Sequence, residues 1–195
     1  MELPFEPMEG RFVRLEPFTE AHREEVRAAL GSDENAWMVQ GSSAHGEHFA
    51  SWWETAFEGI QRGARRPYAV RRLADGAVVG TTSYHDVDLK NRGLAVGHTF
   101  YAPNVRGGPV NPECKLLMFS QAFAAGALRV ELVTDGRNLR SQAAIAKLGA
   151  VKEGVLRKRA ITWTGHVRDT VVFSITDDEW PAVRAGLEAR LQAFR

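Results

Sequence analysis

Residues 94–134 read LAVGHTFYAPNVRGGPVNPECKLLMFSQAFAAGALRVELVT, and the order of elements within them determines the fold class. The stretch begins with an apolar run, Leu94–Tyr101, that predicts a strand. A loop rich in glycine and proline follows over Pro103–Pro109, and Asn111, with a proline after it, is typical of the N-cap of a helix. A second apolar run, Arg129–Thr134, predicts another strand. A strand, a helix and a strand in this order form a βαβ unit, which requires the two strands to be parallel.

The sequence on either side of this unit predicts antiparallel pairs. Tyr68–Leu73 and Ala77–Tyr84 are joined by a turn that contains glycine, and Val151–Thr162 and Arg168–Thr176 form a closing hairpin. Helices are predicted at residues 19–30, 48–62, 111–126, 138–149 and 179–193. We therefore expect a single domain over residues 1–195 with an α/β (α+β) fold. Its sheet would be mixed and mostly antiparallel, with one central parallel strand pair and helices on both faces.

Composition excludes several classes of protein. The chain has 195 residues, 44% of them hydrophobic, and 25 Lys and Arg against 24 Asp and Glu. A formal charge of +1 lacks the positive field of a dedicated nucleic-acid binder, so no nucleic-acid partner is expected. A single cysteine excludes an internal disulfide, and no apolar run is long enough to cross a membrane. The N-terminal residues are acidic and do not resemble a signal peptide, which predicts a cytoplasmic protein with no membrane partner.

The loop Asn104–Asn111 carries most of the chemical information. Its glycines allow a backbone to approach a ligand closely, and the helix that follows directs unpaired N–H groups and a partial positive charge toward the loop. The loop therefore fits a pyrophosphate, with Arg106 adding a fixed charge, although a tight turn from strand to helix would need the same glycines. Neither GxxxxGK[ST] nor the GxGxxG dinucleotide pattern fits the sequence.

Seven stretches of the chain form a recognisable pattern, and their order and spacing agree with the predicted elements. They are FVRLEP at 12–17, GHTFYAP at 97–103, RGGPVNPE at 106–113, TDGRNLRS at 134–141, KLGA at 147–150, EGVLR at 153–157 and RDT at 168–170. Together these stretches resemble the GCN5-related N-acetyltransferase (GNAT) family, in the branch that includes the ribosomal-protein N-terminal acetyltransferases, and the resemblance covers nearly the whole chain.

The resemblance implies acetyl-CoA as co-substrate, bound between two parallel strands that splay apart. The pantetheine arm would pair with the backbone of the first of these strands, and the pyrophosphate would lie on the loop. The residues implied in binding are Thr99, Phe100, Tyr101, Arg106, Gly107, Gly108, Val110, Asn111 and, for the pantetheine arm, Asn138. The family pattern is close to R-x-x-G-x-G/A, whereas this chain has Pro109 and Asn111 at the fourth and sixth positions. Proline removes one N–H donor from the cradle.

The resemblance also implies roles in catalysis. Many family members place a tyrosine acid seven positions after the helix-opening asparagine, where this chain has Ile145. Ser141 is the alternative acid, although it could equally belong to the first turn of the helix. A group with a pKa near neutrality would suit deprotonation of the amine, and His98 is the candidate base, although a lone histidine on a strand is more often structural.

Other residues remain open as the base. The carboxylate that the branch often places on the closing hairpin is missing, and His85, Asp86 and Asp169 are the alternatives. No metal is expected. Arg62–Arg66 is interpreted as a solvated turn. Cys114 is interpreted as a packing residue, although its place in the first helical turn would favour a lowered thiol pKa.

The sequence thus predicts an N-acetyltransferase that moves an acetyl group from acetyl-CoA to a primary amine by direct attack in a ternary complex. The acceptor would be a peptide N-terminus or a small molecule. A non-catalytic acyl-CoA-binding scaffold of the same fold is the alternative. Because many family members pair, a homodimer is also implied.

Overall fold

A computed structural model describes residues 1–194 and contains eight strands and five helices. The strands are β1 (Met8–Glu9), β2 (Val13–Pro17), β3 (Arg65–Arg72), β4 (Val78–Asp88), β5 (Gly93–Tyr101), β6 (Arg129–Asp135), β7 (Val151–Ile161) and β8 (Val167–Thr176). The helices are α1 (Arg23–Leu30), α2 (Phe49–Gln61), α3 (Val110–Ala124), α4 (Leu139–Ala146) and α5 (Trp180–Gln192). Short 3₁₀ segments lie at Glu20–His22, Glu34–Val39, Gly46–His48 and Pro103–Val105.

All eight strands form one sheet in the order β1-β2-β3-β4-β5-β6-β8-β7. Every neighbouring pair is antiparallel except β5 and β6, which are parallel, so the predicted mixed sheet is confirmed. The parallel pair is joined only over Gly93–Ala95 and Arg129–Glu131. Since β5 continues to Tyr101 and β6 to Asp135, the two strands separate after this short contact. The splay lies at the centre of the sheet.

Helices cover both faces of the sheet, and each face has its own apolar core. Tyr68 and Val70 of β3 pack in a cluster with α3 and α5, whereas the intervening Ala69 packs in a second cluster with α1 and α2. Successive side chains of a strand point to opposite faces, so the two clusters lie on opposite sides of the sheet. No helix among residues 1–194 is long and apolar enough to cross a membrane.

Three local expectations are wrong. Helix α3 begins at Val110, one residue before the predicted N-cap Asn111, and Pro109 occupies the N-cap position. Proline suits this place because its fixed φ is already close to helical and the missing N–H has no intrahelical partner there. Thr19 precedes a 3₁₀ turn rather than α1 itself. The interpretation of Arg62–Arg66 as a solvated turn fails at its end, since β3 begins at Arg65 and buries that side chain.

Candidate functional site

The splayed half of β5 offers a backbone edge with no strand beside it. After Ala95, β5 keeps its pairing with β4 but pairs no further with β6. An extended chain entering this gap would find N–H and C=O groups directed at it. The gap is therefore suited to a ligand that carries amide groups of its own.

A β-bulge shapes the same part of β5. Ser83 of β4 faces Gly97 and Thr81 faces Phe100, so β5 has one more residue than β4 in this interval. His98 lies in the bulge with φ +47°, a left-handed conformation that is uncommon for residues other than glycine. Such strain, of about 1–2 kcal/mol, persists only where the surrounding structure holds it, and it is frequent at functional sites. The bulge redirects the strand and the His98 side chain together.

His98 lies on the α1–α2 side of the sheet, with its ring against that of His85. The residue is exposed to solvent, and its protein neighbours displace part of the water around the ring. Burial lowers the pKa of His98 well below its usual value, and the neighbouring Arg65 and His85 lower it further. The imidazole is therefore neutral at pH 7 and available to accept a proton.

His85 lies beside His98. The two rings meet edge to face with centroids 5.0 Å apart, and Nδ1 of His85 lies 2.8 Å from a carboxylate oxygen of Asp86. Gly97 provides the space for this ring, because a Cβ there would come within 2.5 Å of Nε2 of His85. The structure thus brings three of the four candidate bases together. The fourth, Asp169, accepts the backbone N–H of Lys158 at 2.7 Å within the closing hairpin.

Arg65 was missed by the sequence interpretation and lies near His98. Its side chain is 7% exposed, its Nε donates to Oγ of Ser83 at 3.0 Å, and its guanidinium lies over the Trp52 ring. Burial lowers the pKa of Arg65 to about 10. It has no carboxylate partner among residues 1–194, so its charge acts on His98 without local neutralisation.

The glycine loop stands at the open end of the splay. Gly107 is exposed with φ +79°, and an added Cβ there would meet no atom within 4 Å. The Arg106 side chain is turned into the protein, where Nε donates to the Tyr101 carbonyl at 2.8 Å and Nη1 to Asp33 at 2.5 Å. Arg106 therefore has a carboxylate where an anionic ligand would otherwise bind.

Two cavities adjoin the ion pair between Asp33 and Arg106. One, of about 380 Å³, lies between the Asp33 segment and the start of α4 and includes Asn138. The other, of about 510 Å³, lies beside the glycine loop and includes Arg106, Gly108 and Val110. The ion pair joins a residue of one cavity to a residue of the other. The predicted binding residues thus divide between two neighbouring spaces.

On β5, the three predicted strand residues differ in their surroundings. Phe100 is buried and stacks on Trp37 at 4.9 Å with an interplanar angle of 5°. Tyr101 packs against the apolar core on the α3 side, and burial raises its pKa well above the usual value. Thr99 is half-buried, and its hydroxyl contacts Thr82. Phe100 and Tyr101 could therefore offer a ligand chiefly their backbone groups.

At the start of α4, Asn138 is the N-cap, as predicted. Its Oδ1 accepts the backbone N–H of Ser141 at 3.0 Å, and among residues 1–194 its Nδ2 has no partner. The Ser141 side chain is half-buried, and its hydroxyl makes no hydrogen bond within that range. Ile145 is 7% exposed and belongs to the core. The position of the usual tyrosine acid is therefore a packing position here.

Two charged residues of α3 are buried and were also missed. The Glu113 carboxylate accepts three backbone N–H groups, from Arg11, Phe12 and Val13, at 2.6–2.8 Å. Lys115 reaches the splayed strand and donates to two threonine hydroxyls. Because apolar residues occur on all sides of α3, periodicity alone could not show which face is buried.

Cys114 lies between these two residues and is fully buried. Burial raises the pKa of its thiol to about 12. A lowered pKa is therefore wrong for this cysteine, and the interpretation of Cys114 as a packing residue is confirmed.

Comparisons with known proteins give a consistent result. Residues 13–151 match the family model described as an acetyltransferase (GNAT) domain. A GCN5-related N-acetyltransferase from Brucella melitensis is 29% identical, with 96% of this chain and 86% of that chain covered and a TM-score of 0.87. A candidate acetyltransferase from T. thermophilus is 35% identical, with 98% and 99% covered and a TM-score of 0.86.

A more distant structure shares the fold. RimJ from Mycobacterium smegmatis, solved in complex with CoA-disulfide, is 20% identical, with 94% of this chain and 92% of that chain covered and a TM-score of 0.78. No curated protein matches the sequence.

Proposed function

The chain belongs to the GNAT acetyltransferase family, and on this premise we propose that it transfers an acetyl group from acetyl-CoA to a primary amine. The observation that carries the proposal is the splay of β5 from β6, with the glycine loop and the N-terminus of α3 at its open end. The acceptor would be a peptide N-terminus or a small-molecule amine. Transfer would be direct, within a complex that holds both substrates.

The residues present fit acetyl-CoA. The free edge of β5 from Val96 to Tyr101 could pair with the amide groups of the pantetheine arm, and Nδ2 of Asn138 is a further donor. Beside Gly107 there is open space for a phosphate to approach the backbone. The RimJ structure, which shares this fold, holds CoA-disulfide.

The diphosphate would be held by backbone N–H groups and the positive end of α3. Pro109 contributes no donor, so the donors would be the N–H groups of Gly107, Gly108, Val110 and Asn111. On binding, Arg106 would exchange its partner Asp33 for the phosphates, because a guanidinium binds both carboxylate and phosphate anions well. Asp33 would then act as an internal substitute for phosphate when the site is empty.

The chemistry assigned to the protein is proton transfer. Acetyl-CoA supplies a thioester whose carbonyl carbon accepts the amine nitrogen, and the C–S bond breaks. Neutral His98 would accept the proton that the amine loses, directly or through a water molecule, and Asp86 would orient the neighbouring His85. Ser141 would donate a proton to the departing thiolate.

Two measurements test the proposal. Calorimetric titration should show binding of acetyl-CoA and no binding of ATP. Release of free thiol across a panel of peptides and small amines should then identify the acceptor. Acetyl-CoA binding without thiol release for any amine would favour the non-catalytic scaffold, for which Ile145 at the usual tyrosine position is the supporting observation. Failure to bind acetyl-CoA would refute both.

Substitution of Ser141 by alanine should lower kcat while leaving acetyl-CoA affinity unchanged. A positioned acid contributes roughly 10²-fold, and a thiolate is a good leaving group, so we expect a decrease of about tenfold to a hundredfold. Helix α4 should remain intact, because the backbone N–H of Ser141, not its hydroxyl, bonds to Asn138. An unchanged kcat would show that Ser141 has only a structural role, in the first turn of α4.

A further inference from the structure

Lys115 is a buried cation that has no role in the proposed reaction as described above. It lies in α3, its side chain is 3% exposed, and among residues 1–194 it has no ion-pair partner. Removal of an ammonium group from water is costly unless a carboxylate or several hydrogen bonds compensate. An apolar side chain of the same length would avoid that cost. Packing therefore does not explain the residue.

The contacts of Lys115 lead to the splayed strand. Nζ donates to Oγ1 of Thr82 at 3.0 Å and to Oγ1 of Thr99 at 2.9 Å, and the two hydroxyls lie 2.8 Å apart. Thr82 is on β4, and Thr99 is the residue of β5 directly after His98. An ammonium group has three donors and no acceptor, so one N–H remains free of partners within the described residues.

The position of Thr99 makes this cluster relevant to the site. Thr99 follows the bulge and lies in the part of β5 that no longer pairs with β6. Its neighbours His98 and Phe100 contact residues on the α1–α2 side of the sheet, while Thr99 turns to α3. The Lys115 charge is thus separated from the free strand edge by the Thr99 side chain, and it is buried from solvent.

We propose that Lys115 is a positioning residue for acetyl transfer, whose ammonium group holds Thr99 and the splayed part of β5 in place and sets a positive charge behind the strand. This inference rests on the proposed function, because it places the thioester along that strand. Negative charge develops on the carbonyl oxygen as the amine attacks, and a fixed charge in a dry region stabilises it well. Burial of the ammonium group would then lower the stability of the fold while raising the rate of acetyl transfer.

A second property of Lys115 makes the proposal testable by pH. Burial lowers the pKa of Lys115 to about 8. The titratable groups around it are Glu113 and Cys114 on α3, Tyr84 on β4 and Tyr101 on β5. Burial raises the pKa of Cys114 to about 12 and moves those of Tyr84 and Tyr101 well above their usual values. Lys115 is therefore expected to lose its proton near pH 8.

Substitution of Lys115 by methionine is the main test, with kcat measured at saturating acetyl-CoA and amine. Methionine keeps the length and removes the charge, and kcat at pH 7 should fall by roughly 10²-fold with a smaller change in KM. For the wild-type protein kcat should decline above about pH 8, and this decline should be absent from the variant. A kcat within twofold of wild type, with the same alkaline decline, would overturn the proposal.

Stability separates this role from a structural one. A structural lysine would destabilise the fold when replaced, whereas removal of a buried charge should leave the thermal midpoint at pH 7 unchanged or raised. The folded pKa of about 8 lies below the unfolded value of about 10.4. The unfolded chain therefore binds more protons between these values, and wild-type stability should rise with pH across that window, whereas the variant should show no such rise.

The variant Thr99→Val provides an independent test if the methionine variant does not fold. It keeps the charge of Lys115 but removes its link to β5, so kcat should also fall, while the alkaline decline should persist. An unchanged kcat in Thr99→Val would contradict the positioning role. If wild-type protein binds acetyl-CoA and releases thiol, either contradiction refutes this inference alone. If it does neither, the proposed function fails first.

Discussion

Substitution of Gly107 by glutamate is expected to remove nearly all affinity for acetyl-CoA. The residue is exposed, and a Cβ there meets no atom within 4 Å, so the fold has room for the side chain. The new carboxylate would lie where the diphosphate approaches the loop. Two like charges about 4 Å apart repel by about 4 kcal/mol near a protein surface, which predicts a loss of roughly 10³-fold.

The control for this prediction is glutamine at the same position. Gly107 has φ +79°, so any side chain there introduces backbone strain of about 1–2 kcal/mol. Glutamate and glutamine share that strain and nearly the same volume, and only the first is charged. Calorimetric affinities for acetyl-CoA should therefore differ by at least about 10²-fold between the two variants, with equal thermal midpoints. Equal affinities would place the diphosphate elsewhere.

Much of the architecture could be predicted from local sequence. Glycine and proline mark the ends of β5 and α3, and apolar runs of strand length flank them, so the parallel pair followed from the order of elements. The N-cap role of Asn138 was also predictable, since it depends on backbone groups only three residues away. Features of this kind are encoded within a few residues of one another.

The remaining parts of the site depend on contacts between distant residues. The bulge at His98 is a mismatch of register between two strands, and no single strand shows it. Lys115 meets Thr82 across 33 positions, and Arg65 meets Ser83 across 18. From local patterns alone, such charged residues are expected at the surface, because an unpaired charge is more stable in water than in the protein interior. Their burial becomes evident only in the folded sheet, where a hydroxyl group lies within hydrogen-bond distance of each side chain.

A second large effect is expected at His98. Substitution by asparagine should lower kcat by roughly 10²- to 10³-fold while leaving acetyl-CoA affinity unchanged. Asparagine tolerates the left-handed region better than most residues, so the bulge at φ +47° should persist. It cannot act as a base near neutrality. The matched variant His85→Asn removes the adjacent imidazole and should have a smaller effect, since His85 acts through its neighbour.

Chemical rescue and pH dependence both test whether His98 is the base. Because the ring is open to solvent, free imidazole should restore part of the activity of His98→Asn and none of that of Ser141→Ala. The pKa of His98 lies well below its usual value, so wild-type kcat should stay constant as pH falls through 6.5 and decline only at lower pH. The unfolded chain binds a proton at His98 near pH 6.5 and the folded protein does not, so wild-type stability should fall below that pH, and the variant should lack this loss. An asparagine variant that keeps the wild-type kcat would show that another residue is the base, and His85 beside Asp86 is the residue that the geometry then favours.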